Sequence, residues 1–520
     1  MRQPGTLKPP RGLDRGSVKA WTDEAIWGHR FRNDQTPWLL LLELLNVCAV
    51  RVPATGKPGM FPPRPDADPD VGEHESFTYV LPERGELRHL LFRDHRLDDD
   101  GQGLLQDEAR WKDWMTKAGE ESPFDLDYLR RRFDSFEAFA NTTKLLRSLE
   151  VEPTRNRRWT SKHLVPLGPA TLMADLRERK DGKMDPDRRF FSRGGELVFL
   201  MLSRSEHREQ VEHLIRTRLL NDDSRWNKLA ARMQPAGAPL YTGSTHVGYL
   251  PKPRHPRYDA LAQDWLGLLG LRKLPADYAL EPLMRITGLH VSLYLLERAA
   301  EVTGDATRPI LLEMISTGAN AVRKLSVEQF HAHHHATREA LKTWLNSFAE
   351  TEAWRNLPSE NAKQHTQREL QRAFGWQGDA SLTPERQLQE MIDNSVKNHA
   401  GHLGQVATLY LQKIGLAVRR RGAGSWYAPT DAMLEALVLA NVDEPVELRQ
   451  FLAKLRERYN MVVGPNDAQQ AFGEMPVRVE QLSRNLQRFE ERMRALGMLH
   501  RLSDDCAFVN NPFAAPSEAS

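Results

Sequence analysis

Cysteine is nearly missing from this chain: Cys48 and Cys506 are the only two in 520 residues. They lie far apart and show no metal-ligand spacing, which excludes a disulfide framework or a zinc ribbon and makes a reducing cytoplasm the expected home. Long apolar runs are missing too. The best, residues 38–50, is broken by Glu43 and Asn46 and is shorter than the ~18 residues a membrane helix needs, so no membrane partner is expected. Residues 1–20 are rich in Pro, Gly, Arg and Lys without an apolar stretch, and so read as a disordered basic tail, not a secretion signal. Charge of one sign is also scarce. A net charge of +2 excludes a globally basic nucleic-acid binder and leaves any such contact to local patches. Catalytic signatures are lacking: there is no Walker A loop, dinucleotide fingerprint, nucleophile elbow or Cys/His pair. No cofactor is therefore expected, and an ATP or methyl-donor site would belong to a partner.

What is there predicts a mainly α fold with minor β, multi-domain, in which a helical body precedes a tandem winged-helix-like region. An N-terminal region over 21–155 combines a helix striped by Trp38, Leu41, Leu42 and Leu45 with a hairpin across 76–92. A central helical domain over 156–355 contains one clear strand, 308–315. Residues 356–390 are polar and read as a linker. Two winged-helix-like domains follow over 391–470 and 471–513, then a short tail, 514–520.

The last quarter carries the strongest pattern. A helical run through Val406, Tyr410 and Ile414 stops at Gly415; a short strand, the tip Arg419-Arg420-Arg421-Gly422-Ala423-Gly424 and the return Ser425-Trp426-Tyr427 follow. A second run through Leu482, Leu486, Phe489 and Met493 stops at Gly497 before an equivalent strand, tip and return, 498–509. A helix ended by Gly and followed at once by a tight hairpin is the close of a winged helix.

On the first tip, Arg419, Arg420 and Arg421 can follow phosphates, and the adjacent Trp426 can stack on a base. The plain alternative is a solvated tip with inward aromatics. The second tip, Ser503-Asp504-Asp505, is acidic and suits a protein partner or solvent. A second basic segment, Arg155, Arg157, Arg158 and Lys162 around Trp159, has the composition of a backbone-contacting loop, or of a charged inter-helix loop.

Glu328, His331, His335 and Glu339 share one helical face at a spacing able to chelate a divalent ion; no second such helix accompanies them, and a solvated face is the simpler reading. Glu313 is the one acid on a candidate strand. It could serve a nuclease centre, or be buried and paired with Arg308 or Arg323. Arg193-Gly194-Gly195-Glu196 is similar to the turn of GGDEF-type cyclases but lacks their second acid, Leu197 standing in its place. His290 falls within an apolar stripe and reads as a satisfied core histidine.

Three segments carry a resemblance: Arg188-Arg189-Phe190-Phe191-Ser192-Arg193-Gly194-Gly195-Glu196 with its apolar continuation; 451–465, with Leu455, Arg458, Tyr459, Val462, Val463 and Gly464; and 495–513. Together they resemble an accessory protein of bacterial phage-defence cassettes, the methylation-associated type. The resemblance has no catalytic signature. It implies a cytoplasmic bacterial protein acting beside a DNA methyltransferase and an ATPase. The expected function is a non-catalytic DNA-engaging adaptor; a metal-dependent nuclease effector and a pure protein-interaction scaffold are the alternatives.

Overall fold

A computed structural model describes residues 2–10, 19–29, 31–51, 59–94, 96–98, 106–121, 124–152, 158–187, 189–237, 245–315, 320–503 and 506–514. The protein is mainly helical with a few short strands. Its axis is the helix Ala276–Thr303, whose buried positions run round the whole circumference, as for a helix enclosed on all sides. Helices Pro37–Arg51, Pro256–Gly270, Ala321–Asn346, Leu403–Lys413 and Asp431–Asn441 all pack against it. Polar groups are satisfied across these contacts: Trp27 Nε1 donates to Leu295 O at 3.0 Å, and Trp265 Nε1 to Thr287 Oγ1 at 3.1 Å. Gly288 is needed here, since a Cβ would lie 2.7 Å from Ile414 Cγ2.

Among the described residues, apolar side chains gather into three clusters. The principal one reaches from Ala20 to Val509, a second lies under Leu87 to Met233, and a third joins Leu311, Val322, Val462 and Leu482. Among the described residues, no helix is long and apolar enough to cross a membrane.

Three expected segments differ. Residues 356–390 are no linker: helices Ala362–Phe374 and Pro384–Gly401 place Leu370, Phe374, Trp376 and Leu388 in the principal core. The apolar positions are sparse, but burying each is worth ~1.5–3 kcal/mol, enough to hold a polar sequence down. The hairpin expected over 76–92 is a two-residue strand, Thr78–Tyr79, paired with Thr245–His246, followed by helix Gly85–Phe92. Leu87, Leu90 and Leu91 have helical spacing, and it overrides the apparent alternation. Within the expected tail, residues 11–18 lie outside the described residues. Leu7, however, is buried; its N–H donates to Pro251 O at 2.8 Å and its carbonyl accepts from Tyr249 OH at 2.6 Å.

The doubled C-terminal pattern is present in atomic detail. Helix Leu403–Lys413 ends at Gly415, φ +82°, and strands Ala417–Arg420 and Gly424–Tyr427 follow. Helix Val479–Ala495 ends at Gly497, φ +71°, before strands Leu499–Arg501 and Ala507–Val509. The same bonds close both corners. Leu416 N–H reaches back to Leu411 O, and Met498 N–H to Met493 O, each at 2.9 Å; these six-residue closures satisfy the last helical carbonyls. Ala428 N–H then returns to Leu416 O, and Asn510 N–H to Met498 O.

The second hairpin gains a third strand, Val446–Glu447, in the order Leu499–Arg501, Ala507–Val509, Val446–Glu447. That strand comes from within 391–470, so a boundary at 470 cuts through the second unit. At the first hairpin a different segment takes the edge. Ile310–Leu311 is the strand expected near 308–315, shortened to two residues; it pairs in parallel with Met461–Val462, and Glu313 N–H donates to Tyr427 O at 2.7 Å.

Candidate nucleic-acid interface

The first hairpin presents its charge as expected. Ala417 is buried at the hairpin's root, and Arg419, Arg420 and Arg421 are exposed at its free end. Gly422 and Gly424, with φ +79° and +83°, permit the tight reversal. Among the described residues, no carboxylate forms an ion pair with any of the three arginines. The hairpin's root is rigidly held. Tyr427 N–H donates to Ser326 Oγ at 2.9 Å, and Tyr427 OH lies 2.6 Å from His333 Nδ1.

Trp426 is not a stacking surface for bases. It is 1% exposed, and its Nε1 donates to Glu313 Oε2 at 3.2 Å. Arg323 and Arg420 place their guanidinium carbons 4.7 and 5.7 Å from the Trp426 ring centroid, so the indole is a buried platform that steadies Arg420.

Glu313 is likewise committed internally. Besides Trp426 its carboxylate accepts from Asn320 Nδ2 at 3.1 Å and faces Arg323 at 3.5 Å. This is the paired, buried acid of the plainer reading.

In the second basic segment the described cations are paired. Arg155 and Arg157 lie outside the described residues. Arg158 pairs with Asp187 at 2.6 Å and Lys162 with Glu150 at 3.0 Å. Trp159 Nε1 donates to Glu178 Oε2 at 3.0 Å, with Arg93 over its ring. Local carboxylates therefore hold Arg158, Trp159 and Lys162, the described part of this segment, against the body.

On helix Ala321–Asn346 the residues Glu328, His331, His335 and Glu339 share an exposed face. Among the described residues no group of three or more His, Cys, Asp or Glu side chains could hold a metal ion. His333 points the other way and is buried. Its Nε2 lies 3.1 Å from Arg308 O, so Nε2 carries the proton and Nδ1 accepts from Tyr427. Burial pushes the imidazole pKa down to about 4.

Folding then makes a juxtaposition that spacing alone does not reveal. Helices Ala321–Asn346 and Leu403–Lys413 and the arginine hairpin enclose a groove of about 450 Å³, lined by His331, His334, His335, Arg338 and Arg419 with Gln405, Thr408, Gln412 and Ser425. Among the described residues, no carboxylate lines it. Burial, and after it the neighbouring His335, His331 and Arg338, hold the His334 imidazole below its ordinary range.

The remaining motifs resolve as structure. Arg193-Gly194-Gly195-Glu196 opens helix Gly194–Arg204, and the buried Glu43 accepts the N–H groups of Arg193 and Gly195 at 3.1 and 2.8 Å. A Cβ on Gly195 would sit 2.6 Å from Leu44 N, so this turn is a close helix crossing and not a cyclase loop. His290 is satisfied by Asp264 at 2.7 Å.

No protein-family model matches this chain, and no curated protein matches its sequence.

Proposed function

We propose that this protein is a non-catalytic DNA-engaging adaptor of a bacterial anti-phage complex. In this reading the winged-helix-like units grip duplex backbone, and the helical body docks an ATPase or a methyltransferase of the same cytoplasmic system. The observation that carries it is the trio Arg419, Arg420 and Arg421, exposed and free of carboxylate partners among the described residues. The trio sits on a hairpin whose root is fixed by Ser326, His333 and Glu313. A rigid root matters because positioning contacts to phosphate work best when little side-chain and loop ordering is left to be done on binding. The resemblance to methylation-associated defence proteins supports the choice of partners. The repeated helix–glycine–hairpin unit, three-stranded in its second copy, supports the DNA module.

The test is a duplex-binding titration of Arg419→Ala/Arg420→Ala/Arg421→Ala across salt concentration. Each phosphate contact contributes ~0.9 to the slope of log affinity against log salt, so the triple variant is expected to flatten it by about 2 to 3. An unchanged affinity and slope would remove the tip from DNA binding.

A further inference from the structure

The hairpin contacts alone leave the groove beside them without a role. We infer that this groove is a second backbone site, taking the phosphodiester next to the one held at the hairpin tip; the inference rests on the DNA-engaging reading and extends it from a tip to a track. Three features argue for it. Arg419 belongs both to the exposed trio and to the groove wall, so a strand lying on the tip is led into the groove. Among the described residues, the charged lining is all cationic: Arg338 and the imidazoles from the His-rich helix and Arg419 from the hairpin, beside the neutral hydrogen-bonding groups of Gln405, Thr408, Gln412 and Ser425, with Phe330 and Leu409 as apolar floor. Like charges gathered this closely repel one another, and a bound anion offsets that repulsion.

The His-rich helix adds Glu328 and Glu339 at the groove's flank, and Arg338 also reaches Glu339 at 3.1 Å. His399, from helix Pro384–Gly401, is occupied by Asp23 at 2.9 Å and Thr337 at 3.1 Å. Asp305 and Arg308 face His335 only from a separate hollow on its other side. Helix Leu403–Lys413 contributes amides and a hydroxyl to the wall, and the hairpin contributes Arg419. The lining therefore suits an anion, and charged or neutral imidazoles both offer an N–H to a phosphate oxygen.

The experiment compares three proteins by fluorescence anisotropy with a labelled duplex at about pH 6, just below the ordinary imidazole pKa of about 6.5. These are the wild type, the hairpin triple variant, and a groove variant, His331→Gln/His334→Gln/Arg338→Gln. The groove variant changes exposed or half-buried side chains, and circular dichroism checks that its fold is intact. It is expected to bind about tenfold more weakly and to lose ~1 from the salt slope. Inorganic phosphate at matched ionic strength is expected not to displace the duplex; displacement would overturn the backbone assignment in favour of a free-phosphate site. Wild-type affinity and slope in the groove variant, with a weakened hairpin variant, would overturn the groove and leave the tip standing. A weakened groove variant with a silent hairpin variant would refute the tip and overturn the continuous track from tip to groove. No duplex binding by the wild type would refute both.

Discussion

Acid should loosen this fold through His333 before it protonates most of the carboxylates. The imidazole is fully enclosed, with Nε2–H on Arg308 O and Nδ1 accepting from Tyr427 OH, so the neutral ring is fully used and a second proton has no acceptor waiting. Burial is the main reason its pKa falls to about 4. In the unfolded chain the same group titrates near 6.5. A depressed histidine contributes stability that is complete above the unfolded value and is lost as pH falls toward the folded one. The gap between the two values corresponds to ~3 kcal/mol, lost between about pH 6.5 and pH 4. Other groups titrate over the same range, so the measurement must be differential. Urea unfolding of wild type and His333→Gln at about pH 7 and pH 4 isolates the residue. The wild type is expected to lose ~3 kcal/mol more than the variant on acidification. Equal losses in the two proteins would refute the assignment of this pH dependence to His333.

Three further outcomes follow from packing. Trp426→Ala should cost ~3–5 kcal/mol and weaken duplex binding although the indole is buried, whereas Trp426→Phe should keep most of the binding; thermal melts and anisotropy on the same samples decide it. Gly195→Ala should lower stability by ~1–3 kcal/mol or more, because its methyl meets backbone of helix Pro37–Arg51; chemical denaturation measures it. Arg158→Ala and Lys162→Ala should leave duplex affinity and salt slope unchanged, since both cations are already paired with Asp187 and Glu150; a flattened slope would reinstate that loop as a contact.

Local signals were legible in the sequence and tertiary ones were not. The glycine stops at Gly415 and Gly497 and the short hairpins after them depend on neighbouring residues, so they could be read directly. The phase of the His-rich helix was equally local. Strand parity could not decide Trp426: it shares a face with the exposed Arg420, while the equally buried Tyr427 shares the other face with Arg419. Residues 356–390 misled because Leu370, Phe374, Trp376 and Leu388 are widely spaced among polar neighbours, and only the body they dock on shows that each is buried. The partners of Arg158 and Lys162 lie on other loops, and the groove joins a helix, a second helix and a hairpin distant in sequence. Spacing within one segment cannot anticipate such meetings.

The stretch Ile310–Met314 is a strap across both hairpin-bearing units. It is hydrogen-bonded to Val462 on one side and to Tyr427 on the other. Asn485 pins it from helix Val479–Ala495, bonding Leu312 O, Met314 N–H and Val463 O at 2.7 to 2.9 Å. The two units are consequently stitched to one shared segment, and backbone hydrogen bonds rather than a loose connector set their spacing.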